Sequence, residues 1–419
     1  MTFSATRLRA WVGGIALLFP FLLLCVPRGA GIFLGATVVG IALAGRGLGP
    51  AWRLFWNELW PFVVAIVAVL AVVLFSCWHF GLAWNWLDNP SRLLIAVVMG
   101  VMVVCARPNP RWLWRGINFA FVVVLAIVAY QRWGLGDMRP SAWVQPIAFA
   151  NMVAALGLIG FIRPGLTGRT HAAAWLTLGM AVAVLALNGT RGGLLALLVP
   201  MSFLLFVRHP SLKGPKFVLA IGGVAVAITA LYAVVDGKGG GRFAVVESEI
   251  QQFQKGSVDT SVGARLALWG IALDTVRAKP WVGTGVGQFH SAVKASRYCD
   301  VNPAEHPEVC RLGHAHDDML EAAATMGLPG LVAVLGIFLV PGSLFAKFRR
   351  VSRQAGNPMG ERLAISGLAV VAASLISGLT QVTLAHQANA VFYAGITGLL
   401  LGLTVVQVRF PHQGEAESM

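Results

Sequence analysis

The sequence has 419 residues, of which 57% are hydrophobic and only 12% are charged, and its mean hydropathy is +0.74. Soluble domains carry about 25% charged residues, so this composition excludes an ordinary soluble protein. The formal net charge of +15 does not indicate nucleic-acid binding, because the basic residues are spread over short segments between apolar runs. Backbone groups inside lipid must pair within their own segment, so we predict an all-α polytopic membrane protein.

Helices need about 20 consecutive apolar residues to cross a bilayer, and about twelve such runs follow one another along the chain. Two of them are short, so the expected number of spans is eleven to thirteen. The predicted spans lie near 10–26, 30–45, 59–78, 92–106, 116–131, 143–162, 172–189, 192–207, 217–235, 328–346, 363–381 and 388–408.

These runs divide the chain into three parts. Residues 1–235 carry spans one to nine, residues 236–327 form a large loop, and residues 328–419 carry the last three spans and a short tail. If both termini are cytoplasmic, the short cytoplasmic loops and termini hold 18 Lys and Arg, whereas the short outer loops hold five. The positive-inside rule therefore predicts cytoplasmic termini and a large loop on the outer side. The five basic residues of the short outer loops are Arg28, Arg92, Arg132, Arg139 and Arg191.

The large loop is too long for a simple connection. It opens with the flexible stretch 236–242, and an amphipathic segment follows at 243–256. A second helical segment, 261–280, ends at Pro280, as helices commonly do. Four of its apolar residues recur at helical 3–4 spacing. They are Leu266, Trp269, Leu273 and Val276.

Near the end of the loop, residues 311–330 read RLGHAHDDMLEAAATMGLPG. Helical spacing places His316 on an apolar face and three acids away from that face. A core histidine and a catalytic histidine fit this pattern equally well. We predict no metal, because His314 and His316 are two residues apart and do not share a helix face. The apolar face comprises His316, Met319, Leu320 and Ala323, and the acids are Asp317, Asp318 and Glu321.

The end of that segment and a glycine-rich stretch predict local backbone structure. Gly327 and Pro329 indicate that one helix ends and another begins. The glycine-rich KPWVGTGVGQFH, residues 279–290, matches neither a Walker A loop nor a dinucleotide-binding turn. It predicts a tight turn whose N–H groups could contact an anion.

Two arginines are candidates for binding an anion on the outer side. Arg191 lies between two apolar runs, at a predicted helix N-terminus, and small residues surround it in NGTRGG, residues 188–193. A snorkelling anchor is the alternative. Arg265 lies early in the segment 261–280, and Arg139 is a third candidate. Guanidinium groups match phosphate oxygens bidentately, so these residues suit a diphosphate.

Two of the five cysteines, Cys299 and Cys310, lie in the large loop. In an oxidising compartment such a pair commonly forms a disulfide, although the spacing alone does not establish one. The other three fall within or beside spans and are expected to be small buried residues.

The chain contains, in order, TRGG (190–193), GARLALW (263–269), KPWVGTGVGQF (279–289) and HAHDDMLEAAATMGLPG (314–330). Together these four stretches resemble the O-antigen ligase family, within the wider group of O-antigen polymerases and bacterial O-oligosaccharyltransferases. The resemblance covers nearly the whole chain, including its large loop between late spans. The family's last motif usually reads His-Asn before the acid, whereas this chain has His316-Asp317-Asp318. Both His314 and His316 are therefore candidates for the functional histidine, and His316 is favoured because it precedes DDML.

The resemblance implies a glycosyltransferase of the GT-C class in the bacterial inner membrane, with its site on the periplasmic face. Such an enzyme takes a polysaccharide from undecaprenyl diphosphate, its lipid-linked donor. A ligase transfers it to a sugar hydroxyl of lipid A–core, with inversion and without a cofactor or metal.

The implied roles are a diphosphate site at Arg191 and Arg265, with Arg139 as a further candidate, and a general base at His316. Asp317 or Asp318 would orient that base. No nucleic-acid partner is expected. Two alternatives stay open, a polymerase or O-oligosaccharyltransferase with another acceptor, and a twelve-span lipid or solute transporter.

Overall fold

The computed structural model describes residues 3–164, 168–208, 222, 258, 260–300 and 304–411. Every regular element within these residues is helical. We number the twelve longest helices in chain order and leave shorter ones unnumbered. They are α1 Phe3–Cys25, α2 Gly29–Ala44, α3 Leu48–Phe80, α4 Leu94–Ala106, α5 Arg111–Ala129, α6 Pro146–Phe161, α7 Gly168–Asn188, α8 Arg191–Arg208, α9 Ser261–Ala278, α10 Asp318–Gln354, α11 Pro358–Gly378 and α12 Gln387–Arg409.

The helices agree with a polytopic membrane protein. Every predicted span except 217–235 coincides with a helix. That span, the stretch 236–242 and the segment 243–256 lie outside the described residues. In the described residues, eight helical stretches are long and apolar enough to cross a membrane, and α6 and the start of α8 are shorter apolar helices. One of the eight joins α2 and α3 across a short turn, so a total of twelve spans stays a prediction.

Helix α12 lies at the centre of the bundle. It packs against α4 and α11, and almost all of its side chains are buried. A helix that is apolar on all sides belongs in such a position. Two of its polar groups make hydrogen bonds to other helices: the Tyr393 hydroxyl donates to the Ile337 carbonyl at 2.7 Å, and the Asn151 amide donates to Asn389 Oδ1 at 2.6 Å.

Helix α10 is broken at Gly327, as the sequence predicts. Gly327 has φ 68° and ψ −169°, a conformation that is essentially restricted to glycine. The next residue, Leu328, donates its N–H to the Pro280 carbonyl at 2.7 Å. The break therefore joins the start of α10 to the turn that follows α9.

That turn contains the glycine-rich motif and packs its backbone directly on α10. Thr284 and Gly285 donate their N–H groups to the carbonyls of Ala324 and Thr325 at 3.0 and 2.9 Å. Val286 donates to Ser76 Oγ at 2.9 Å. The tight turn is confirmed, and these three N–H groups are bonded to protein and are not available to an anion.

Helix α9 has apolar residues on more than one face, and not all of those at helical 3–4 spacing are buried. Leu266 and Leu273 are 36% and 47% exposed, whereas the buried side chains include Leu268 and Ile271. Apolar residues occur all around this helix, so two stripes have helical spacing. Periodicity alone does not decide which stripe faces the protein.

The loop segment after α9 contains a covalent link. Cys299 and Cys310 form a disulfide, with their Cα atoms 5.7 Å apart. Cys25, Cys77 and Cys105 are free cysteines.

Candidate functional site

His316 lies just before helix α10 and not on it. Asp317 is the N-cap, and its side chain accepts the N–H groups of Met319 and Leu320 at 2.8 and 2.9 Å. An aspartate in this position is a strong helix start. His316 itself adopts the left-handed conformation, with φ 54°. The prediction that His316 shares a helix face with Met319 and Leu320 is therefore wrong.

The ring of His316 is bonded to a side chain that sequence reasoning missed. Its Nδ1 lies 2.5 Å from Oε1 of Gln381. An amide oxygen only accepts hydrogen bonds, so Nδ1 donates and the lone pair lies on Nε2. This Nε2 is buried, and no described residue bonds to it. The arrangement leaves a histidine nitrogen that can accept a proton.

The surroundings of His316 favour its neutral form. The pKa of His316 is lowered to about 4, mainly by burial and by the charge of His314, with smaller contributions from Arg265 and His386. The hydrogen bond to Gln381 acts in the opposite direction. The influence of Arg265 shows that α9 brings this arginine within electrostatic reach of the ring. At neutral pH, His316 is an uncharged base.

His314 and His386 accompany His316. The rings of His314 and His316 have centroids 4.2 Å apart. Burial lowers the pKa of both His314 and His386, and His386 lowers that of His314 as well. Within the described residues, no group of three or more His, Cys, Asp or Glu has a geometry that could hold a metal ion.

The acidic residues support the backbone around His316. Asp318 is buried and accepts the Thr383 hydroxyl at 2.6 Å and the Leu384 N–H at 3.2 Å. Glu321 accepts the N–H of Ala315 at 2.7 Å. Burial raises the pKa of Asp317 against its two cap hydrogen bonds. The expectation that Asp317 or Asp318 orients the imidazole directly is wrong, because Gln381 makes that contact.

The start of α8 lies against the loop that carries Gln381, residues 379–386. Arg191 is the first residue of α8, as predicted for a helix N-terminus. A Cβ at the next residue, Gly192, would lie 2.7 Å from Thr380 Oγ1, so the first turn of α8 contacts the residue before Gln381.

Arg139 lies beside this turn. One of its guanidinium nitrogens is 3.4 Å from the Thr190 hydroxyl, and the Asn188 amide donates to the Pro140 carbonyl at 2.9 Å. Arg139 therefore lies beside the start of α8, and Arg265 on α9 is close enough to His316 to affect its pKa. Arg139 and Arg191 are exposed, and Arg265 is partly buried.

A cavity of about 370 Å³ is lined in part by His314. Its walls are mostly apolar, and they include Trp86 and, from α10, Met326 and Val334. His314, Asp318 and Glu321 border the same cavity. The site thus combines a charged surface with an apolar space.

A model of the O-antigen ligase family matches residues 172–335. This part of the chain is therefore similar to the O-antigen ligase family. The resemblance seen in the sequence is thus confirmed for the region that contains Arg191, Arg265 and His316. O-antigen ligase family members are glycosyltransferase-like enzymes, and the helical bundle fits a multi-pass protein of the inner membrane.

The chain is also similar to an uncharacterized protein of Haemophilus influenzae. The two are 23% identical over 321 residues, which cover 73% of this chain and 77% of the relative. The region matched by the O-antigen ligase family ends before Gln381. A signal for Gln381 was nevertheless present, because a glutamine ends the predicted span 363–381 in an otherwise apolar run.

Proposed function

We propose that this protein transfers an O-antigen polysaccharide from undecaprenyl diphosphate to a sugar hydroxyl of lipid A–core. The reaction takes place on the periplasmic face of the bacterial inner membrane, with both termini in the cytoplasm. It is the inverting, metal-independent chemistry of a GT-C glycosyltransferase. The observation that carries the proposal is the buried His316, whose Nδ1 is bonded to Gln381 and whose Nε2 has no hydrogen-bond partner among the described residues.

In this proposal His316 is the general base. The acceptor hydroxyl oxygen forms a bond to the anomeric carbon, and the bond from that carbon to the diphosphate oxygen breaks. The hydroxyl proton passes to Nε2 of His316. Histidine is the usual choice for such a transfer near neutral pH.

The arginines act on the leaving group, whose negative charge increases as it departs. Preorganised cations stabilise such charge strongly where water is excluded. Arg191 and Arg265 bind the diphosphate, and Arg139 supports Arg191 beside Thr190. A bound diphosphate also offsets the positive charges near His316 and raises the pKa of His316 from its resting value. Donor binding therefore makes the base stronger.

The test uses purified protein, labelled lipid-linked polysaccharide and lipid A–core in detergent. We expect Arg191→Ala, Arg265→Ala and His316→Ala each to abolish transfer while the protein stays folded. Arg277→Ala is the matched control for Arg265→Ala, because Arg277 lies on the same helix and pairs with Asp274 on the surface. His171→Ala, on α7, is the control for His316→Ala.

The same assay separates the alternatives. Extension of a second lipid-linked chain, with no transfer to lipid A–core, would indicate a polymerase. Absence of any glycosidic product, together with movement of lipid across vesicles, would indicate a transporter. Full activity of His316→Ala would refute the general-base role, and activity that needs a divalent ion would refute the metal-independent mechanism.

A further inference from the structure

We propose that Gln381 is a positioning residue that selects the reactive tautomer of His316. It holds the proton on Nδ1 and so keeps the lone pair of Nε2 directed at the acceptor hydroxyl. This inference rests on the proposed function, in which His316 is the base. It adds a residue outside the region that the O-antigen ligase family matches.

The contact itself is specific. Gln381 is 3% exposed, and its Oε1 lies 2.5 Å from Nδ1 of His316. A neutral imidazole carries its proton on one nitrogen, and the partner of the other nitrogen decides which. A buried oxygen that only accepts therefore excludes the tautomer with the proton on Nε2.

The loop that carries Gln381 is fixed by several helices, so the amide is preorganised. Asp318 at the start of α10 bonds Thr383 and Leu384. Asn389 on α12 donates to the Thr383 carbonyl at 3.2 Å. Asn89, in the short helix before α4, donates to the Leu384 carbonyl at 2.5 Å. Gly378 lies so close to Asp318 that a Cβ there would be 2.7 Å from Oδ2. A few ångströms of drift would break the contact with His316, and these bonds prevent it.

A neutral amide suits this position better than a carboxylate. The charged or titratable groups that act on His316 are Arg265 from α9, His314 from its own segment and His386 from the loop before α12. A carboxylate at position 381 would stabilise the protonated ring and would repel an anionic donor. An amide orients the ring and leaves it neutral.

The experiment compares Gln381→Met, which removes the acceptor oxygen at similar length, with Gln381→Glu, which keeps it. Transfer from lipid-linked polysaccharide to lipid A–core is measured against pH. We expect Gln381→Met to lower kcat about 10–100-fold, the range found when a metal-ligating histidine loses its hydrogen-bond partner, with KM unchanged. Gln381→Glu should recover most of kcat and move the acid limb of the profile to higher pH, because the carboxylate raises the pKa of His316.

Gln407→Met is the matched control. Gln407 is also buried, but it lies near the opposite end of α12, far along the chain from Gln381, and its variant should keep the wild-type pH profile. A merely structural role for Gln381 would lower the unfolding temperature of both Gln381 variants without moving the acid limb. Nitrogen-15 NMR of labelled histidines gives the tautomer of His316 directly, by comparison with His316→Ala.

Failure of this inference is distinguishable from failure of the proposed function. Unchanged kcat in Gln381→Met, with His316→Ala inactive, would overturn the positioning role and leave the base in place. At saturating donor, a folded Gln381→Glu whose kcat is as low as that of Gln381→Met would also overturn it. Full activity of His316→Ala would overturn both.

Discussion

Gly327→Ala tests whether the close approach between the glycine-rich turn and α10 holds the site together. The added Cβ would lie 2.5 Å from the carbonyl carbon of Trp281, 2.6 Å from its oxygen and 2.7 Å from the Pro280 oxygen. All three are backbone atoms, which cannot rotate away as a side chain can. Gly327 also has φ 68° and ψ −169°, where an L side chain is strained.

The magnitude follows from three contributions. Holding a non-glycine residue in this conformation costs about 1–3 kcal/mol. Forcing a methyl group into a filled space costs about 1–3 kcal/mol, and weakening the bond from Leu328 N–H to the Pro280 carbonyl costs about 1 kcal/mol. We expect the free energy of unfolding to fall by about 3–7 kcal/mol.

The assay is unfolding of the purified protein in detergent, followed by tryptophan fluorescence. Gly336→Ala and Gly342→Ala are matched controls on the same helix, because their nearest contacts would be ordinary ones at 3.7 and 3.6 Å. Replacing a helical glycine by alanine contributes up to about 1 kcal/mol of stability, so these controls should be neutral or slightly stabilising. If Gly327→Ala unfolded with the same free energy as the controls, the close backbone packing would be refuted.

Two further predictions concern pH and redox state. The pKa of His316 is lowered to about 4, so the acid limb of kcat/KM should lie well below 6.5, the ordinary value for histidine; a limb at or above that value would contradict the buried, neutral ring. Because the unfolded state binds this proton first, the contribution of neutral His316 to stability is full above pH 6.5 and is lost as the pH falls from there toward about 4; unfolding of the wild type and of His316→Gln between pH 7 and 5 checks this. Reduction of the Cys299–Cys310 disulfide, whose cysteines are 11 residues apart, should lower the unfolding free energy by about 3 kcal/mol through loop entropy; equal stability before and after reductant would show that the link contributes nothing.

Several parts of this architecture were predictable from local sequence. Composition and apolar run length determine a helical membrane protein, because unpaired backbone groups are too costly in lipid. The break at Gly327 and the helix start at Arg191 follow from residues whose backbone preferences act over one turn. The candidates Arg191, Arg265 and His316 stood out because charged and titratable groups are rare in such a chain.

Other features were decided only by tertiary contacts. The partner of His316 is Gln381, 65 residues along the chain, and periodicity carries no information over that distance. Likewise α9 is apolar on more than one side, and the packing of Leu268 and Ile271 rather than Leu266 and Leu273 depends on which surface the neighbouring segments offer. The sequence by itself determined the helices, their membrane character and the chemical groups of the site. The tertiary structure decided which nitrogen of His316 is free, because that depends on a hydrogen bond between distant segments.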